Sequence, residues 1–167
     1  MIEVHYPPTI AFHERDSFKI FLAGTIDMGN SINWQHEIIT YLKQHFLDNI
    51  DIFNPRRPDW NSKWAQSKSH PMFKRQVEWE LKYQEEADTI LMVFLPESKS
   101  PISLMELGSF KHKKMLVYNP EQFYRHGNVD IFCAKYNIPT IYEWSDYLIA
   151  TKRFVSSHLL QKLAKHA

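Results

Sequence analysis

A single cysteine, Cys133, stands in the 167-residue chain, so no disulfide can form within it and no thiolate cluster can hold structural zinc. Nine histidines are present, but none sits in an HExxH or other close ligand spacing, and no metal is expected. No run approaches the roughly 18 apolar residues that a bilayer span needs. The opening MIEVHYPPTIAFHERDS lacks the basic, apolar, small-residue order of an export signal. Neither sign of charge is in excess: 20 Lys and Arg against 19 Asp and Glu leave a net charge of +1, with no general pull toward a nucleic acid polymer or an anionic membrane. These absences predict a cytoplasmic protein without membrane or polynucleotide partners. Glycine is scarce too. An average chain of this length would carry ~12; this one has four, Gly24, Gly29, Gly108 and Gly127, which suggests that glycine is kept where the backbone needs positive φ or a close approach.

What is present points to one core. Hydrophobic residues make up 44% of the chain and aromatic ones 14%, enough for a single domain over residues 1–167, with an N-terminal arm (1–16) that packs on the body or a neighbouring subunit and a C-terminal helix (144–167). FKIFLA, ending at Gly24, reads as a buried strand, and residues 32–46 follow as a helix capped by Asn30 or Ser31. IDIF is a second strand, closed by the breaker-rich NPRRPDWNSKW. Residues 72–87 form a helix with Phe73, Val77, Leu81 and Gln84 on one face and Glu80 beside it. TILMVFL is the clearest strand; after PESKSP, Ser100 and Pro101 open another helix in N-cap and first-turn positions. MLVY, a short helix over 129–136 and a strand at 140–142 complete the alternation. The pattern predicts an α/β fold: a doubly wound, mostly parallel five-stranded sheet, flavodoxin-like or Rossmann-like, with flanking helices. Ligands of such sheets sit beyond the carboxyl ends of the strands, where GTIDMGNS, NPRRPDW, PESKSP and NPEQFYRHGN all fall.

Several acids in these segments could carry chemistry. Glu106, in SPISLMELGSF, lies about a turn and a half into a helix that starts at the presumed cleft, between apolar Met105 and Leu107. The helix N-terminus favours its ionised form by ~0.3–1 kcal/mol; the plain alternative is an acid on a solvated face. Asp88 opens the third strand and Glu80 sits near the apolar face of its helix, each with a structural alternative as a turn or surface acid. Asp27 is a third candidate, or a loop cap. Paired carboxyl groups suit glycosidic cleavage, one attacking the anomeric carbon and one, protonated, assisting the leaving group. Trp34, Trp60, Trp64 and Trp79 could stack on a flat base or pack a core. Arg56 and Arg57 could fork onto a phosphate or pair with Asp59. Gly24 and Gly29 do not make a GxGxxG or a GxxxxGK[ST], so a dinucleotide or triphosphate site lacks its signature.

Taken in order, IFLAGTIDMGNSINWQ, FNPRRPDW, QVEWELKYQEEADTILMVFLP, SKSPISLMELG and YRHGNVDI resemble successive blocks of the nucleoside 2-deoxyribosyltransferase family, in its nucleoside 2-deoxyribosyltransferase-like branch. The resemblance implies Glu106 as nucleophile and Asp88 as a base-contacting acid, with Gly24, Asp27, Arg57, Asp59, Trp60 and Glu80 around the substrate. It implies that Asn128 reaches from a neighbouring subunit to the deoxyribose 5'-hydroxyl, hence a homo-oligomer, dimer or higher. The family's second base-contacting aspartate would fall near Ser100, where no acid stands, leaving Asp27 or Asp59 for that part. The implied activity is base exchange on purine or pyrimidine 2'-deoxynucleosides through a covalent deoxyribosyl-Glu106 intermediate, with retention, free nucleobases as co-substrates and no cofactor, as in nucleotide salvage. Alternatives are a 2'-deoxynucleoside 5'-monophosphate N-glycosidase holding its phosphate through Arg56 and Arg57, and a non-catalytic nucleotide-ligand sensor.

Overall fold

Side chains on successive residues of the central strands alternate between two separate apolar clusters, and this period of two sets the layers. In the computed structural model, which describes residues 1–10, 16–59 and 61–166, the elements run β1 (Ile2–His5), β2 (Phe18–Gly24), α1 (Trp34–His45), β3 (Ile50–Phe53), α2 (Pro71–Glu86), β4 (Thr89–Val93), α3 (Pro101–Ser109), β5 (Lys114–Tyr118), α4 (His126–Lys135), β6 (Thr140–Ile141) and α5 (Trp144–His166). Phe21, Ala23, Ile90, Met92, Met115 and Val117 face one cluster, closed by Trp79 and Tyr83 of α2, Leu107 of α3, and Val129 and Cys133 of α4. Phe18, Ile20, Leu22, Leu91, Val93 and Leu116 face the other, closed by Trp34, Ile38 and Leu42 of α1 and by Tyr147, Val155 and Leu159 of α5. Strands buried on both faces read as continuous apolar runs, as FKIFLA and TILMVFL do.

All strand pairings are parallel, in the order β1-β3-β2-β4-β5-β6. The sheet therefore has six strands rather than the expected five. The extra one comes from the N-terminal arm: Ile2–His5 pairs in register with Ile50–Phe53, and the terminal ammonium donates to the carbonyls of Leu47 and Asp48. Four residues with charges interleaved carry too weak a pattern to announce an edge strand. The other five strands take the predicted doubly wound course. Two local expectations also change. The first helix begins at Trp34, capped by Asn33 through the N–H of His36, not at Asn30 or Ser31. On α2 the sheet-facing residues are Gln76, Trp79, Tyr83 and Gln84, whereas Leu81 is 46% exposed. Trp79 and Tyr83 win that face because their rings pack on Phe53, with centroids 6.1 and 4.2 Å away.

Strand order reverses between β2 and β4. Their chains leave toward opposite faces, β2 to α1 and β4 to α3, so the two loops part and a crevice opens beyond the carboxyl ends. Gly24 ends β2 there with φ +137, and a Cβ on it would lie 2.2 Å from the carbonyl oxygen of Val93. Backbone, not a flexible side chain, blocks that space. Gly24→Ala is therefore expected to cost about 2–4 kcal/mol, from strain and forced separation of β2 from β4. Urea unfolding measures it, and a midpoint equal to the parent's would show that the approach is not as tight as described.

Candidate functional site

The crevice is a cleft of about 530 Å³, within the range of small-molecule sites. Phe21, Ala23 and Gly24 form its floor at the end of β2, with Thr25, Ile26 and Asp27 continuing from them. One side is α2, through Phe73, Gln76, Val77, Glu80 and Leu81, and another is the start of α3, from Ser100 to Glu106. Pro55 and Arg57 close the end beyond β3.

Two carboxyl groups face this space. Glu106 sits in the second turn of α3 and is 8% exposed, so it is not on a solvated face. Glu80 projects from α2, partly open to the cleft. Each receives one amide: Gln84 Nε2 donates to Glu106 Oε1 at 2.7 Å, and Gln76 Nε2 donates to Glu80 Oε1 at 2.6 Å while also holding the Pro55 carbonyl. Burial pushes the Glu80 carboxyl up to about 7. Burial first, and then the charge of Glu80, pushes Glu106 up to about 8; the Gln84 hydrogen bond opposes the shift. Two like charges in a poorly solvated cleft cannot both form cheaply, so the pair holds a proton near neutral pH. This arrangement offers an ionised carboxylate and a neutral acid side by side.

Other expected residues lie elsewhere. Asp88 does not line the cleft: it precedes β4 at the amino ends of the strands, about 15 Å of strand away. There it accepts the Lys19 N–H and the Lys162 ammonium, both at 2.8 Å, tying β2 and α5 to the start of β4. Its expected place against a base is thus corrected to a structural ion pair with Lys162, while Glu80 lines the cleft. Asp59 is 65% exposed at its side chain and grips Arg57 Nε and Nη2 at 2.7 and 2.6 Å, which holds its carboxyl below the usual range. It too is absent from the cleft lining.

Arg56 donates to the carbonyls of Gly29, Ser31 and Ile32, stapling the loop after β2 to the loop after β3. With its fork engaged in that way, the expected phosphate role is corrected for Arg56. Arg57 differs, since it lines the cleft, lies over the Trp64 ring at 5.0 Å and keeps a buried Nη1 without a hydrogen-bond partner. Among the described tryptophans, Trp34 donates to the Thr25 carbonyl, Trp79 to the Thr9 carbonyl, and none of Trp34, Trp64 or Trp79 is in the lining, so these three do not form a stacking platform. Phe73, Val77, Leu81, Ile102 and Met105 supply the apolar surface instead. Trp60 lies outside the described residues. Asp27 is on the cleft rim, and Asn128 is exposed in the first turn of α4 without lining the cleft of its own chain.

Gln76 and Gln84, which orient the two acids, escaped the sequence reading. Gln76, Glu80 and Gln84 recur at intervals of four, a polar stripe on one side of α2 that could have pointed to a shared site. Among the described residues, one trio brings metal-binding atoms within 4.8 Å of one another: Glu3, His5 and Asp51. It lies on the β1–β3 edge, outside the cleft lining, and His5 Nε2 is 3.0 Å from Asp51 Oδ1.

The carboxyl pair makes stability depend on pH. Both groups titrate above their ordinary value near 4.5, so the native state binds more protons than the unfolded chain between about pH 4.5 and 8. Their favourable contribution is intact below that window and is lost as pH rises through 7 and 8. Glu80→Gln removes one buried charge and should raise stability at pH 8 by about 1–3 kcal/mol, with little change at pH 5. It should also lower the Glu106 titration midpoint, read by carboxyl-carbon NMR; an unmoved midpoint would mean that the two acids do not sense each other.

The family described as nucleoside 2-deoxyribosyltransferase like matches residues 17–123, nearly two thirds of the chain, and this span contains every cleft-lining residue. Against curated proteins the chain has no match. A conserved protein from Enterococcus faecalis V583, solved as a crystal structure, shares the fold at a TM-score of 0.59 and 15% identity, over 83% of this chain and 99% of that one. Among the described residues no helix is long and apolar enough to cross a membrane. By the extent of that match, this chain belongs to the nucleoside 2-deoxyribosyltransferase-like family.

Proposed function

We propose that the protein cleaves and re-forms the N-glycosidic bond of 2'-deoxynucleosides, exchanging one base for another. The observation that carries this reading is that two carboxyls, Glu106 and Glu80, line one cleft, each held by a glutamine amide and each pushed above the usual carboxylate range by burial. In the empty cleft the proton favours Glu106. A base whose ring nitrogen accepts a hydrogen bond from Glu80 draws the proton there and leaves Glu106 charged. The Glu106 carboxylate then attacks C1' from the face opposite the base. As the C–N bond breaks, its electron pair passes through the glycosidic nitrogen into the base ring, and the ring nitrogen hydrogen-bonded to Glu80 takes the proton. A deoxyribosyl ester of Glu106 remains. A second base attacks C1' through its own nitrogen, returns a proton to Glu80 and releases Glu106, so two inversions give net retention. Without a 2'-hydroxyl to withdraw electrons, the oxocarbenium-like transition state is easier to reach, which suits deoxyribosides. Asn128 from a neighbouring subunit would meet the 5'-hydroxyl in this scheme, in a homo-oligomer.

The expected outcome with deoxyinosine and adenine is formation of deoxyadenosine, and mass spectrometry of the mixed protein should find a deoxyribosyl adduct on the peptide containing Glu106. Glu106→Ala should lower exchange by ~10³-fold or more and abolish the adduct. Full exchange by that variant would remove the nucleophile from the scheme.

One observation favours a second reading. Arg57 is a buried cation on the cleft wall with an unpartnered Nη1, a donor suited to a 5'-phosphate, which would make the substrate a deoxynucleoside monophosphate and water the acceptor. Deoxyguanosine monophosphate should then be hydrolysed faster than deoxyguanosine without added base, and Arg57→Gln should erase the difference. Equal rates on the two substrates would leave base exchange alone standing.

A further inference from the structure

Along the loops after β2 and β4 the structure has a chain of hydroxyl groups. Thr25 Oγ1 lies 2.6 Å from Ser100 Oγ, Ser100 Oγ donates to Ser98 Oγ at 3.0 Å, and Ser98 Oγ donates to Asp27 Oδ1 at 2.7 Å. Thr25, Ser98 and Ser100 are all buried, and Thr25, Ser100 and Asp27 line the cleft. Asp27 and Ser100 hold left-handed backbone, φ 48 and 44, unusual for residues with a Cβ. Ser100 occupies the N-cap position of α3, yet its hydroxyl makes no capping bond because it is turned to this chain.

The direction of the hydrogens is set from the Asp27 end, and the backbone donors along the chain are compatible with it. The N–H of Leu95 donates to Thr25 Oγ1 at 3.1 Å and the N–H of Ser100 donates to Ser98 Oγ at 3.0 Å; neither donor can reverse. At the far end the Asp27 carboxylate only accepts. Ser98 must therefore spend its one hydrogen on Asp27, Ser100 its hydrogen on Ser98, and Thr25 its hydrogen on Ser100. One lone pair of Ser100 Oγ remains, and no hydrogen.

We propose that this polarised chain from Asp27 through Ser98 makes Ser100 a hydrogen-bond acceptor toward the cleft, so that the site selects nucleobases presenting an N–H donor, such as an exocyclic amino group, at that edge. The proposal rests on the reading that the cleft takes a nucleobase. Asp27 acts as a positioning residue through Ser98. Asp27→Asn removes the obligation on Ser98 to donate: once the amide turns its N–H to Ser98 Oγ, the Ser98 hydrogen can go to Ser100 and the Ser100 hydrogen is free to point into the cleft. Ser98→Ala removes the acceptor that holds the Ser100 hydrogen and frees it by a different route.

The test is calorimetric binding of adenine, 2-aminopurine and unsubstituted purine to the full chain and to both variants, each checked for a cooperative thermal transition. The parent should bind one of the aminopurines roughly 10-fold more tightly than purine. In Asp27→Asn and Ser98→Ala that ratio should fall to about one or invert; a loss of packing would weaken all three ligands together and leave the ratio alone. Binding of all three with a ratio that neither folded variant changes overturns the hydroxyl-chain proposal only. Absence of any purine binding to the parent overturns the nucleobase reading and this proposal with it.

Discussion

The repulsion between two carboxyl groups that share one poorly solvated cleft is the constraint around which the site is built. An isolated buried carboxylate is costly, and a pair of them more so, unless one stays protonated. The protein meets that cost with a glutamine for each acid, Gln84 for Glu106 and Gln76 for Glu80. Because Gln76, Glu80 and Gln84 all stand on α2, one helix carries both amides and one acid. Glu106, on α3, is the group brought to it.

That meeting depends on the order of the sheet. β2 and β4 are neighbours whose helices leave to opposite faces, and only at this reversal can the loop after β2 and the start of α3 flank an open space while α2 covers its side. Gly24 sits at the junction, against the Val93 backbone. The paired residues at the other end of the sheet do different work: Asp88 and Lys162 lock α5 to the amino side of β4. The chain thus separates its carboxylates by environment, buried and unpaired with cations at the cleft, paired with cations away from it.

Loop chemistry divides in the same way. Arg56 spends its guanidinium on carbonyls and fastens two loops together, whereas Arg57, one residue later, lines the cleft with Nη1 unpaired. Adjacent residues in a loop point in different directions, so identical chemistry in the sequence becomes a staple in one case and a site group in the other. Ser98 and Ser100 show the reverse, joining into one chain across an intervening lysine.

Much of the fold was legible from the residues. Strands buried on both faces announce themselves as apolar runs, and their alternation with helices fixes a parallel, doubly wound sheet; only β1 was missed, because Glu3 and His5 interrupt its apolar pattern. Glu106 was a candidate because an acid between Met105 and Leu107 near a helix start is unusual, although only the family resemblance set it above an acid on a solvated face; the structure buries it against the cleft. Which acid would join it was not legible. Asp88 and Glu80 stand eight residues apart, and the choice between them turns on which end of the sheet each reaches, a matter of strand direction and helix placement rather than local pattern. The face of α2 was misjudged for a related reason, since Trp79 and Tyr83 find aromatic partners on β2 and β3 that no window of α2 contains. By itself the sequence determined the elements, their alternation and the residue types available for chemistry. Tertiary structure alone decided which acids meet, because the pairing and burial of a charge depend on neighbours distant along the chain.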